Sequence, residues 1–364
     1  MVSTTLPAVR KPLANSLTSA KLPSWAPWAL LGAAVAVSSI VFALVAAATG
    51  AEFSVAGAVV VAALLYIVAV TTLSGVTEGR RKAVDRLVTS LVVGAFLVAM
   101  IPLISVSWTA LSMGIHRFDL EFFTSSMRNV TGAGGGALHS IVGTLLITLT
   151  ATVISVPIGL MTSIYLVEYG DGGRLARAIT FFVDVMTGIP SIVAGLFAFA
   201  LFALLFSPAN ATMGFTGAIA LSVLMIPVVV RSSEEMLRIV PNELREASLA
   251  LGVPKWLTIV KVVLPTAIAG IMTGVVIAIA RVIGETAPLL LTAGFTHNMN
   301  YNLFADRMNT LPLFVYTSYR SSAGSVIEDI ERAWTGALVL ILIVLVLNLA
   351  ARLIARFFAP KTGR

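Results

Sequence analysis

Long apolar runs, eight in all, govern what this chain can become: Trp28–Thr49, Val55–Leu73, Leu87–Trp108, Leu138–Val167, Ala178–Phe206, Met213–Val230, Pro265–Leu291 and Trp334–Ala355. As a helix, each is long enough to cross much or all of the roughly 30 Å of hydrocarbon in a bilayer. A helix also satisfies its own backbone hydrogen bonds, which lipid cannot do. With 58% hydrophobic residues, 11% charged residues and a mean hydropathy of +0.99, an ordinary soluble domain is excluded. The expected fold class is an all-α integral membrane protein, a polytopic helical bundle.

Charge then sets the expected orientation. The net charge is +7, but the basic residues lie in short loops between apolar runs and form no nucleic-acid patch. With the N-terminus in the cytoplasm, eighteen of the 24 Lys and Arg residues fall on the cytoplasmic side. Five fall outside, and Arg281 is left inside a run. Both termini are therefore expected in the cytoplasm: a polar tail over 1–27 and a short tail over 359–364. The first run starts too late and runs too long for a cleaved signal peptide. The chain has no cysteine, and His116, His139 and His297 show no ligand spacing, so no metal or cofactor is expected.

Proline divides the runs into two kinds. Pro102, Pro157, Pro190, Pro227 and Pro288 fall in the third to seventh, while the first two have none. A proline frees the carbonyl four residues back, which is tolerable where neighbours or water satisfy it. The proline pattern predicts an added lipid-facing pair over 28–75, followed within 76–358 by a packed, bendable bundle of the five proline-bearing runs. Pro157, Pro190 and Pro288 are the candidate hinges.

The polar stretch Arg231–Pro265 interrupts the oil. Ser232 followed by Glu235 has the form of a capping box at a helix start. Pro241 suits the first turn of a second short helix, and Gly252 suits its left-handed end. That helix would carry Leu244, Ala247, Ser248 and Leu251 on one face and Asn242, Glu243, Arg245 and Glu246 on the other. It is too short to stand alone, so its apolar face must dock on the membrane helices or on a second protein. Glu168, Asp171 and Asp184 read as loop or boundary residues.

Arg281 and Glu285 lie four apart in the seventh run, a spacing that shares one helix face. An arginine in mid-span costs about 2.5–3.5 kcal/mol on insertion scales, so it should face protein or a wet cavity. Glu285 either neutralises Arg281 or shares with it a path for an anion. Guanidinium matches carboxylate or phosphate oxygens, and hydrogen phosphate, unlike sulfate, still has an O–H that a carboxylate can accept.

Two further segments are read as external. Thr109–Ala137 holds the run Gly132-Ala133-Gly134-Gly135-Gly136; with no Gly-Lys pair in the chain it is a hinge rather than a phosphate loop. Thr292–Ala333 is either a solvated cap or a landing surface for an external partner. No HExxH motif and no Ser/His/Asp cluster points to a membrane enzyme, so no catalytic residue is expected.

Several of these stretches carry a resemblance. Glu246-Ala247-Ser248, then Gly252, Pro254 and Val262-Val263-Leu264-Pro265, resembles the EAA loop of ABC-transporter permeases, with Ser248 for Ala and Val262 for Ile. Arg281-Val282-Ile283-Gly284-Glu285-Thr286-Ala287-Pro288-Leu289-Leu290 is similar to the seventh-span signature of phosphate-specific ABC permeases, and its ending looks like the A-type subunit. Gly188–Leu196 and Gly143-Thr144-Leu145 are also similar, and the likeness covers about 87–355.

The resemblance implies a type I ABC permease core of six spans plus two additional N-terminal spans, in a bacterial inner membrane. It implies phosphate import by alternating access, with Arg281 and Glu285 on the substrate path. Glu246, Ala247, Ser248, Gly252, Pro254, Leu264 and Pro265 would couple to an ATPase. The implied partners are a C-type permease subunit, two copies of a cytoplasmic ATP-binding subunit and an external phosphate-binding protein. A permease for sulfate or molybdate, or a self-sufficient anion channel, are the alternatives.

Overall fold

The computed structural model describes residues 22–130, 132–321 and 327–358. The chain divides into two compact units, 1–106 and 107–364. Of the expected tails, 1–27 is described from Leu22 onward and 359–364 lies outside the described residues.

In the first unit, α1 (Ala26–Thr49) ends on Gly50, whose φ of 67° closes the helix with an N–H bond to the Ala46 carbonyl. Ser54 caps α2 (Val55–Thr77) by accepting the Gly57 N–H at 3.2 Å. The two helices are tied where Ser38 Oγ donates to the Ala58 carbonyl at 2.6 Å. Beyond α2, Glu78 accepts the Leu22 N–H (3.0 Å), the Ser74 hydroxyl (2.8 Å) and Arg86 Nε (2.9 Å). The Arg86 hydrogen bond, with those of Leu22 and Ser74, holds its carboxyl well below the usual range, at about 2. Next comes α3 (Arg80–Gly114); its 35 residues reach about 52 Å, well beyond the hydrocarbon thickness.

The second unit runs from the end of α3 through α4 (Leu120–Thr124) and α5 (Leu138–Ile164), which widens into a π-turn over Tyr165–Tyr169. Then follow α6 (Arg174–Gly188), α7 (Ser191–Phe206), α8 (Gly214–Ile239), α9 (Asn242–Ala250) and α10 (Lys255–Thr258). A second π-turn, Ile259–Val263, leads into α11 (Leu264–Val282), followed by α12 (Ala287–Thr292), α13 (Leu311–Ser321) and α14 (Ile327–Phe358). The hub is α8: 61% of its most apolar window is buried, against none for α3. It packs on α5 where Gly159 meets the Val229 side chain, and on α11 where Gly274 meets Ser232. Small residues at these crossings let helices approach, which is how bundles associate in lipid. Ile147, Leu221, Met225, Val263 and Ile271 fill the core between them.

Among the described residues, seven helices are long and apolar enough to span, or eight when a bent pair counts as one. The all-helical membrane bundle is thus as expected, with several local corrections. The fifth run is not one straight helix: α6 and α7 meet at 110°. Pro190 favours the bend, since proline disfavours helical backbone in its predecessor, and Ile189 adopts ψ 128°. The sixth run continues unbroken to Ile239, so Ser232 is no cap; its hydroxyl donates to the Val229 carbonyl at 3.2 Å. The seventh run breaks at 283–286, between α11 and α12.

The two stretches read as external are firmer than expected. Rather than a free hinge, the glycine run is clamped: Arg332 donates to the Gly132 and Gly134 carbonyls, and Arg117 Nη2 to Gly135 at 2.9 Å. Gly132, Gly134 and Gly135 all have positive φ, a shape that side-chain-bearing residues rarely adopt. The 292–333 segment is only partly a surface, because Met308, Leu311, Leu313 and Phe314 are buried.

Candidate functional site

Between Val240 and Val263 lies the connection that the EAA-like residues occupy. Pro241 turns the chain out of α8, and α9 begins at Asn242. It stops at Gly252, whose φ of 77° is the left-handed end that the glycine suggested; its N–H bonds the Leu249 carbonyl at 2.9 Å. Ser248 is the buried residue of α9, and its hydroxyl lies 2.9 Å from that of Thr258 on α10. That contact gives a hydroxyl a role where the motif has alanine. Glu246 and Ala247 are exposed, Pro254 caps α10, and Leu264 and Pro265 open α11.

Apolar side chains on and just past α9 remain uncovered, although Ser248, expected on the face of Leu244 and Leu251, is buried. Leu244, Leu249 and Leu251 are 42%, 46% and 83% exposed, and Trp256 on α10 is 60% exposed. Arg245, expected on the outer polar face, is instead turned inward. Its Nε donates to Glu168 Oε1 at 3.0 Å, Nη2 to the Leu237 carbonyl at 2.8 Å, and Nη1 to the Val240 carbonyl at 2.6 Å. Glu168, read as a boundary residue, therefore belongs to this site. The carbonyls that Arg245 meets are the orphans at the end of α8, which always need a donor.

A second charged group lies alongside. Arg231 bonds Asp184 of α6 and Glu234 (2.8 Å), and Arg238 bonds Glu234 at 2.7 Å. Glu234 is three residues after Arg231 and four before Arg238, a spacing that signals such pairing; Asp184 carries no local signal.

Arg281 and Glu285 do not share a helix face. Arg281 is exposed in the last turn of α11, and Glu285 is half-buried in the turn that follows. The two form no ion pair with each other or with any other described residue. Pro288 favours the break, since a continuous helix would leave the Gly284 carbonyl without its donor. Pro288 instead sits in the first turn of α12, and Pro157 lies within a continuous α5. Among the described residues, then, Glu285 does not neutralise Arg281.

The other signature stretches prove to be close approaches. Gly195 packs on Pro288, joining α7 to α12. Gly143 lies against the Asn309 backbone, and Thr144 Oγ1 accepts the Leu311 N–H at 2.7 Å. His139 and His297, far apart in sequence, come within 6.5 Å ring to ring, and Asn309 Nδ2 is 3.4 Å from His139 Nε2. Among the described residues no group of three or more His, Cys, Asp or Glu could hold a metal.

Residues 155–364 match the family described as binding-protein-dependent transport system inner membrane component. Phosphate transport system permease protein PstA 1 of Mycobacterium tuberculosis (strain ATCC 25618 / H37Rv) is 45% identical over 293 residues, 78% of this chain and 91% of the relative. PstA of Mycobacterium leprae (strain TN) is 43% identical over 280 residues, covering 74% and 88%. PstA of Yersinia pestis is 37% identical over 281 residues, covering 77% and 92%. With a match over more than half its length and relatives aligned almost end to end, the chain belongs to the family of inner-membrane components of binding-protein-dependent transport systems.

Proposed function

We propose that the chain is a permease subunit, not itself an enzyme, of an ATP-driven importer that moves inorganic phosphate into the cytoplasm by alternating access. The observation that carries this reading is Arg281, exposed and unpaired at a break in an apolar helix. A guanidinium held there offers planar donors to an oxyanion, and Glu285, in the turn that follows, would accept the hydrogen of hydrogen phosphate. The relatives' names, phosphate transport system permease proteins, support the same cargo.

In this reading both termini lie in the cytoplasm, and so does α9. Leu244, Leu249 and Leu251 then dock on an ATPase, while Glu246, Ala247, Ser248, Gly252, Pro254, Leu264 and Pro265 shape that surface. ATP binding closes the ATPase pair and swings the bundle outward, with hinges at Pro157, Pro190 and Pro288. Two ATPase copies, a C-type permease subunit and an external phosphate-binding protein complete the assembly. Residues 28–75 are an additional pair ahead of the permease domain, 76–358.

Reconstitution with these partners in ATP-loaded vesicles tests the proposal. Phosphate uptake is expected to need ATP and to fall with Arg281→Ala. Space around Gly252 is open, so Gly252→Trp projects into the docking surface and should release the ATPase on co-purification. Uptake without ATP, or a Gly252→Trp complex that persists, would overturn the assignment.

A further inference from the structure

We infer that Arg245 is a positioning residue, whose ion pair with Glu168 carries motion from the docking helix α9 to the π-turn at the end of α5. This rests on the docking reading of α9 given above.

Little holds α9 to its own unit. Ser248 is its buried residue, and the Ser248–Thr258 contact ties it to α10. Its long-range tie is Arg245, with a side chain 16% exposed, to Glu168, with a side chain 7% exposed. The same guanidinium holds the Leu237 and Val240 carbonyls, so one planar group grips the end of α8 and the end of α5 together. An ammonium has no such fork. Glu168 lies within Tyr165–Tyr169, a helical turn wound wider than α, the kind of local irregularity that recurs at functional sites. Lys255 of α10 approaches the same turn, its Nζ 4.9 Å from the centre of the Tyr169 ring. A push on α9 therefore reaches α5 through a shielded, multiply bonded strut, at the point where α5 is least regular.

The measurement is phosphate imported per ATP hydrolysed, in the full complex reconstituted in vesicles. Arg245→Ala and Glu168→Gln should each keep the ATPase bound and lower that ratio roughly tenfold, within the range usual for coupled sites. The double variant should be no worse than either single, because both act through one contact. The chain has no cysteine, so Glu168→Cys with Arg245→Cys makes a unique thiol pair. Joining the pair with a short cleavable thiol reagent should restore the ratio, and cleavage should remove it again; a purely structural tie would not follow the reagent in this way.

A wild-type ratio in Arg245→Ala, losses that multiply in the double variant, or a bridged pair that stays uncoupled would each overturn the inference. Should Arg245→Ala fail to fold, Glu168→Gln, which keeps the size of the side chain but removes the charge of the ion pair, decides the matter with the thiol pair. Failure of the docking reading would look different: the ATPase would then stay bound to Gly252→Trp.

Discussion

Gly195 and Pro288 meet backbone to backbone. A Cβ placed on Gly195 falls 2.7 Å from Pro288 Cα and 3.0 Å from its carbonyl oxygen, with no flexible side chain able to give way. Gly195→Ala should therefore force α7 off α12, at about 1–3 kcal/mol for overpacking. The midpoint of thermal unfolding in detergent reads this, and an unchanged midpoint would refute the contact.

Gly143 is tighter still, since a Cβ there would overlap the Asn309 carbonyl oxygen. Gly143→Ala should cost more than Gly195→Ala, at or above the upper end of about 1–3 kcal/mol. The reverse order of unfolding midpoints would show that the Asn309 loop gives way more easily than α12.

Leu251 is 83% exposed and supports nothing in its own unit. Leu251→Asp should leave stability within about 0.5 kcal/mol, as for other surface changes, yet release the ATPase on co-purification. Full retention of the ATPase would place the docking surface elsewhere.

Glu285→Gln keeps the size of the side chain but puts a donor where hydrogen phosphate also donates. A hydrogen bond to a charged group is worth about 1.5–3 kcal/mol, so phosphate uptake should drop roughly tenfold or more. The preference for phosphate over sulfate in vesicle uptake should narrow as well. An unaltered preference would remove Glu285 from the path.

Glu78 provides a pH test. Its folded pKa of about 2 is below the ordinary value of 4.5, so its stabilising effect is present above pH 4.5. That effect is lost as the pH falls from 4.5 towards 2, because protonation breaks the Arg86 pairing. Across this window the wild type should lose stability faster than Glu78→Gln; parallel curves would show the pairing to be without effect.

Much of this was legible in the sequence where the signal is local. Pro241 and Gly252 marked both ends of α9 because each fixes its own backbone. Apolar run length marked the membrane helices, since a bilayer demands it. The break at 283–286 was hidden because Gly284 and Pro288 are both tolerated in a span. Arg245 could be placed on a helix face but not turned inward, because Glu168 lies 77 residues away. The glycine run read as loose for the same reason, its Arg332 clamp being 198 to 200 residues distant.

The wide turn Ile259–Val263, at the foot of α11, holds one more residue per hydrogen-bonded loop than an ordinary helix. Rewinding it to the usual pitch would displace the register above it by one residue, a rotation of about 100°. Arg281, near the far end of that same rod, would sweep from one side of the helix axis towards another without any change in its neighbours along the chain. A thiol placed at 281, in a chain that has no other, would report that rotation as a change in its labelling rate.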